Sequence, residues 1–234
     1  MDKAKFVKVL AAFIFGICVV MDLAGMIFQV SAKKRPLNSF ALFINLVSFM
    51  IYVSTILDYF PLMYDFDGNP VQIQFYVQWM NTTPIMILIL ACLGTSMQDV
   101  LVQDWGVVVN AILWDETMLV LGLVQTMLGS SIIGWVCCAC SGCCMVVVFR
   151  RIHQISNASV NNAATTYEIA SLRGIEWFTY MLWSLFPCVH VLYFLRRIDL
   201  VQYEIMRTFV DVVAKAVYTV ALLTGNFCIL DTVA

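Results

Sequence analysis

The sequence predicts an all-α membrane protein, a bundle of seven transmembrane helices with an extracellular N-terminus and a cytoplasmic C-terminus. Three observations predict it. Hydrophobic residues make up 62% of the 234 and charged residues only 12%, where a soluble domain needs about 25% charged residues to cover its surface. Apolar stretches long enough to cross a bilayer, about 20 residues each, recur along the whole chain. Short segments of turn chemistry separate them. Residues 1–234 therefore read as a single domain, multi-pass in the cell membrane, with the lipid bilayer as its main surroundings.

The first span covers 7–30. Lys3, Lys5 and Lys8 precede it, but it is too long for a signal-peptide core and no cleavage site follows, so it reads as a spanning helix. Lys33-Lys34-Arg35-Pro36 ends it, and the second span covers 38–60. Asp65-Phe66-Asp67-Gly68-Asn69-Pro70 forms a turn before the third, 72–96. A polar boundary from Gln98 to Asp104 leads to the fourth, 105–128, and Gly129-Ser130-Ser131 separates that from the fifth, 131–152. A polar loop from Asn157 to Thr166 precedes the sixth, 170–194, and the seventh covers 202–227. Positive charge marks the cytoplasm. Lys33, Lys34 and Arg35 after the first span and Arg150 and Arg151 at the end of the fifth set the orientation, against Lys3, Lys5, Arg196 and Arg197.

Other classes are excluded or disfavoured. No basic patch suits nucleic acid, and the net charge is only −2. Cys137, Cys138, Cys140, Cys143 and Cys144 crowd one apolar stretch and read as small packing residues between helices. A Cys140-x-x-Cys143 metal site lacks a second ligand pair at zinc-finger spacing, so no metal is expected. No nucleophile–base set appears and the chain ends soon after the last span, so no enzyme activity and no catalytic residue is expected.

An ionisable group in hydrocarbon is costly and is therefore a functional candidate. Five of six lysines lie in the first 34 residues; the sixth, Lys215, is alone in the middle of the last span. Asp211 lies four residues before it, on the same helix face. A desolvated, neutral lysine is a nucleophile toward an aldehyde, and Asp211 is placed to balance the cation formed. The spacing alone leaves a purely structural ion pair equally open. Glu204 and Arg207 extend the stripe at spacings of 3 and 4 and should face the bundle interior. In the fourth span Asp115 and Glu116 point about 100° apart, and Asp115 is the inward candidate.

Three segments resemble the microbial (type 1) rhodopsins. Asp211-x-x-x-Lys215 resembles the retinal lysine and its counterion; Tyr76-Val-Gln-Trp79-Met-Asn-Thr82-Thr83-Pro84 is similar to the family's R-Y-x-D-W-x-x-T-T-P; Trp183-Ser-Leu-Phe186-Pro187 is similar to W-x-x-Y-P. Tyr52, Met118, Gly122 and Trp135 match more loosely. The resemblance covers essentially the whole chain. It implies all-trans retinal on Lys215 as a protonated Schiff base, with Asp211 as counterion. Trp79 and Trp183 would sandwich the polyene, and Thr82, Thr83, Met86, Met118, Gly122, Trp135, Cys138, Phe186 and Pro187 would line the rest. His190 stands where many relatives carry an aromatic ring near the ionone end.

The departures carry the functional argument. The third-span carboxylate that accepts a proton in pumps is Gln78, the usual proton donor is Ile89, and the usual arginine is Phe75. Outward proton pumping lacks its groups. Arg207 is a candidate replacement for the arginine. Gln78-Trp-x-Asn81-Thr with a lone seventh-span aspartate resembles the anion-conducting channelrhodopsins of the marine, strongly desensitising and viral group. The second span carries uncharged Asn45 and Ser48, with no acid before Asp58. An acid-free wall does not repel chloride, and Asn45, Ser48, Gln78, Asn81 and Arg207 offer hydrogen-bond donors. Asp115 with Thr83 resembles the pair that couples retinal to gating. The resemblance implies a light-gated channel for chloride or other small anions, assembled as a dimer or trimer. A sensory photoreceptor and an inward anion pump are the alternatives.

Overall fold

The computed structural model describes residues 3–28, 35–61, 63–93, 99–163 and 165–224. Seven long helices follow one another: α1 (Lys3–Phe28), α2 (Arg35–Ile56), α3 (Ile73–Cys92), α4 (Trp105–Leu128), α5 (Ile132–Asn161), α6 (Thr166–Phe194) and α7 (Leu200–Thr224). The bundle is apolar outside, as hydrocarbon surroundings demand, and inside it an apolar core shares the space with the buried polar and charged side chains. On α1, Phe6, Phe13, Val20 and Ile27 recur every seventh residue and each is more than half exposed. Asp22, on the other face of the same helix, is fully buried. By length and composition α1 to α6 each suffice to cross a membrane. The seventh helix has the length, but its buried stripe of Glu204, Arg207, Asp211 and Lys215 makes it more polar.

The turns use the residues singled out from sequence. Asp65 accepts hydrogen bonds from the Asp67 and Asn69 amides and from the Asn69 side chain. This turn closes a short antiparallel ribbon, β1 (Met63–Tyr64) with β2 (Pro70–Val71), paired Met63 to Val71, which the hydrophobic pattern did not predict. Asp67 reaches across the end of the bundle and accepts from the Ser130 amide (3.0 Å) and hydroxyl (2.9 Å). Those two donors hold its carboxyl below the usual carboxylate range. Gly129 lies beneath it with φ +60, and a Cβ there would meet Asp67 Oδ2 at 2.5 Å. Only glycine fits both the backbone and the approach.

Several boundaries differ from expectation: α1 begins at Lys3 rather than 7, and α2 ends at Ile56 rather than 60. α5 continues through Asn161 instead of stopping near 152, and α6 begins at Thr166 rather than 170. At about 1.5 Å per residue α5 is about 45 Å long, beyond the hydrocarbon core of about 30 Å. Its last turns therefore leave the membrane, where polar Ser156, Asn157 and Ser159 continue the helix. A capping box closes the start of α6: Thr165 accepts from the Glu168 amide and Glu168 accepts from the Thr165 amide. Between α3 and α4, Val100–Asp104 form a π-helical turn that runs into α4. Lys33 and Lys34, Gln98, and the ends of the expected spans at 29–30, 94–96 and 225–227 lie outside the described residues.

Candidate functional site

The site is built on the inward stripe of α7. Lys215 is 2% exposed, and its Nζ donates to Asp211 Oδ1 one turn earlier. Asp211 also accepts from Trp79 Nε1 (3.0 Å), Gln78 Nε2 (2.9 Å) and the Tyr52 hydroxyl (3.2 Å). Two of those donors come from α3 and one from α2, so a single carboxylate joins three helices. Gln78 Nε2 also donates to Ser48 Oγ on α2 at 2.9 Å. The amide thus occupies the place beside the ion pair without adding charge.

From this pair a cavity of about 300 Å³ extends toward α4, α5 and α6. Small-molecule sites typically have about 300–1,000 Å³. Trp79, Thr83 and Met86 of α3 line it, with Met118 and Gly122 of α4. Cys138 of α5 and Trp183, Phe186, Pro187 and His190 of α6 complete the expected set. The Trp79 and Phe186 rings meet edge to face, 5.0 Å between centroids. Asp115 is fully buried at the wall and accepts from the Thr83 hydroxyl. Glu116, its neighbour, is half-buried.

Three expected residues are placed elsewhere. Trp135 is not in the cavity wall; it sits one turn along α5 from Cys138 toward the Ser131 end, edge to face with Phe194. Cys138, also expected there, lines the cavity from α5. Thr82 is buried but does not line the cavity, and its hydroxyl donates to the Gln78 carbonyl at 2.9 Å. Adjacent helical residues point about 100° apart, so with Thr83 facing the cavity Thr82 is turned away from it. Asn81, expected along an ion path, is exposed on the outside of α3 and donates to the Val77 carbonyl. It follows Trp79 by two residues, about 200° around the helix.

Arg207 and Glu204 lie where α1, α3 and α7 begin. The Arg207 guanidinium stacks 3.8 Å above the Phe75 ring and donates to Gln72 Oε1 at 2.6 Å. The ring that replaces an arginine in α3 is thus covered by an arginine from α7. Glu204 pairs with Lys8 at 2.9 Å and accepts from Gln72 Nε2. Tyr203, Gln125 and Ser141 also border the cavity and were not singled out from sequence. Neither was Asp22 on α1, which accepts from Asn45 on α2 and Thr219 on α7. Its signal was legible: a lone acid inside an apolar run, the same pattern that marked Lys215.

A bundle of this topology, with one buried lysine–aspartate pair facing a mostly apolar cavity, defines a class of retinal protein. The chain belongs to the bacteriorhodopsin-like protein family, whose model matches residues 5–228. The family binds retinal as its chromophore. No curated protein sequence matches the chain. Among solved structures it is similar to the transmembrane domain and linker of the rhodopsin phosphodiesterase of Salpingoeca rosetta. The TM-score is 0.84 at 19% identity, covering 100% of this chain and 73% of that one. It is also similar to the light-driven proton pump of Coccomyxa subellipsoidea, TM-score 0.80 at 19% identity, covering 96% and 97%. A third is the proton-pumping rhodopsin of Acetabularia acetabulum, TM-score 0.79 at 15% identity, covering 95% and 94%. The cavity fits retinal on the geometry above: aromatic rings line an apolar space, and one lysine stands at its end.

Proposed function

We propose that this protein is a light-gated anion channel that carries all-trans retinal on Lys215, with its N-terminus extracellular. The observation that carries the reading is Gln78. It sits against Asp211 and Ser48, where an outward proton pump requires a carboxylate to accept the proton. Bound retinal supplies a light-driven isomerisation and a cationic link to Lys215. Asp211 balances that cation, and Tyr52, Gln78 and Trp79 fix the carboxylate's orientation. Trp183, Phe186 and Pro187 of α6 would form the wall beside a bound polyene, and Asp115 with Thr83 ties α4 to α3 at the same cavity.

The inner faces of α1, α2, α3 and α7 supply the path. Asn38 Nδ2 and Oδ1, Asn45 Oδ1 and Gln78 Oε1 are all buried and find no hydrogen-bond partner among the described residues. Buried polar atoms are normally paired with protein or water. A column of unpaired ones supports a track that hydrates when the helices separate, a minor open state populated by light. Arg207 adds a positive charge at one mouth, where Lys8 is balanced by Glu204. The activity is conduction rather than catalysis.

The test is light-evoked current under voltage clamp, in cells expressing the chain with retinal, while external chloride is varied. Reversal at the chloride equilibrium potential, moving with it, is the expected result. Current of one direction regardless of the gradient means an inward anion pump. Absence of current from retinal-loaded protein at the membrane means a sensory photoreceptor.

A further inference from the structure

Asp22 belongs neither to the cavity nor to the Lys215 pair. It lies six residues before the end of α1, fully buried. Asn45 Nδ2 donates to its Oδ2 at 2.7 Å and also to Thr219 Oγ1; the Thr219 hydroxyl donates to the same Oδ2 at 3.2 Å. Both Asn45 donors and the Thr219 donor are then used. Two acceptors remain without a hydrogen-bond partner among the described residues: Asp22 Oδ1 and Asn45 Oδ1. An ionised Asp22 adds acceptors to a place already short of donors; a proton on it supplies the missing donor. The charge balance points the same way. Among the described residues, the titratable or charged groups near it are Cys18 one turn away on α1 and Lys215 one turn before Thr219 on α7, while α2 presents only the neutral Asn45. Lys215 is paired with Asp211. A buried carboxylate without a cation is costly.

We propose that Asp22, Asn45 and Thr219 form a second proton-binding site, which holds α1, α2 and α7 together and acts as a switch on anion passage between them. With the proton bound, the clasp is neutral and an anion passes a hydrogen-bonding wall. When the Asp22 O–H bond breaks, its proton goes to water in the path. The carboxylate left behind repels anions at the level of Asn45. Thr219 follows Lys215 by one helical turn, so movement of α7 at Lys215 pulls directly on the clasp. The switch on current rests on the channel reading above; the proton site does not.

Infrared spectroscopy of the whole protein, with and without retinal, tests the site by itself. A protonated carboxylic-acid carbonyl band that shifts in deuterated water is expected near neutral pH. It should vanish in Asp22→Asn and persist in Asp115→Asn. If Asp22→Asn does not fold, the band is read in Asp115→Asn protein carrying carbon-13 aspartate, where an isotope-shifted acid band is expected. Its absence in either form overturns the proton site. Chloride photocurrent should fall as the solution is made alkaline, and Asp22→Asn should remove that fall. Equal alkaline inhibition in both proteins overturns the switch. An infrared band without any chloride current in either protein leaves the proton site standing and overturns both the channel reading and the switch.

Discussion

Asp211 accepts hydrogen bonds from four side chains, Tyr52, Gln78, Trp79 and Lys215, and this concentration makes its substitution informative. Asp211→Asn leaves Lys215 as an uncompensated buried cation. Breaking such a pair from one side costs about 3–5 kcal/mol, so the retinal-free variant is expected to denature at lower temperature. An unchanged midpoint means that the pair contributes little. Lys215→Ala removes the one amine in the cavity wall, and no visible absorption band is expected on adding retinal. A native band in that variant ends the assignment of Lys215. Gln78→Glu puts a second carboxylate where the amide lies 2.9 Å from Asp211. Two carboxylates that close cannot both ionise without cost. The absorption maximum should therefore become pH-dependent, and chloride current should fall. A pH-independent spectrum with full current contradicts the role given to Gln78. Lys215, Asp211 and Gln78 were legible because a charge in an apolar run, or its loss from a motif, is visible in one dimension. Whether Thr82 or Thr83 meets the cavity depends on helix phase, which the motif does not contain.

At the scale of elements, the cavity depends on which residue of each helix faces it. Trp135→Ala is expected to leave the absorption maximum unchanged, because its ring packs on Phe194 outside the wall. Gly122 is different. A Cβ there would already touch Tyr76 at 3.7 Å and Ser141 at 3.9 Å, so Gly122→Leu should fill the space and reduce retinal uptake. Equal uptake by wild type and Gly122→Leu contradicts this boundary of the cavity. The loop between α2 and α3 is held by Asp67 on Ser130. A carboxyl held below its ordinary range stabilises the docked loop above its unfolded value, and loses that contribution as pH falls through the folded value. Exchange of the Ser130 amide hydrogen should therefore accelerate on acidification beyond what chemistry alone gives, and should already be fast at neutral pH in Asp67→Ala. Pattern reading located this turn but missed the ribbon β1–β2, because two-residue strands carry no periodicity.

The whole molecule keeps an apolar core but, unlike a soluble protein, also has an apolar exterior. Apolar side chains face outward along α1 to α6, and Asp22, Asn45, Gln78, Asp115, Asp211 and Lys215 are gathered inside. Their backbone hydrogen bonds are satisfied within each helix, which is what allows the chain to remain in a bilayer. Polar contacts then tie helices distant in sequence: Asn45 to Thr219, Tyr52 to Asp211, Lys8 to Glu204. Each joins α7 to an earlier helix, so α7 is the element through which a change at Lys215 reaches α1 and α2.

The sequence by itself determined the class of the fold, the number and order of the spanning helices and the buried pair of α7. Hydrocarbon admits few solutions, and each leaves a long apolar run interrupted by a costly charge. Tertiary structure alone decided which side chains share a space. It set Trp135 outside the cavity wall, Arg207 over Phe75, and Asp22 between Asn45 and Thr219. Those contacts depend on the rotation of each helix about its axis and on partners as many as 197 residues apart, and no local pattern records either.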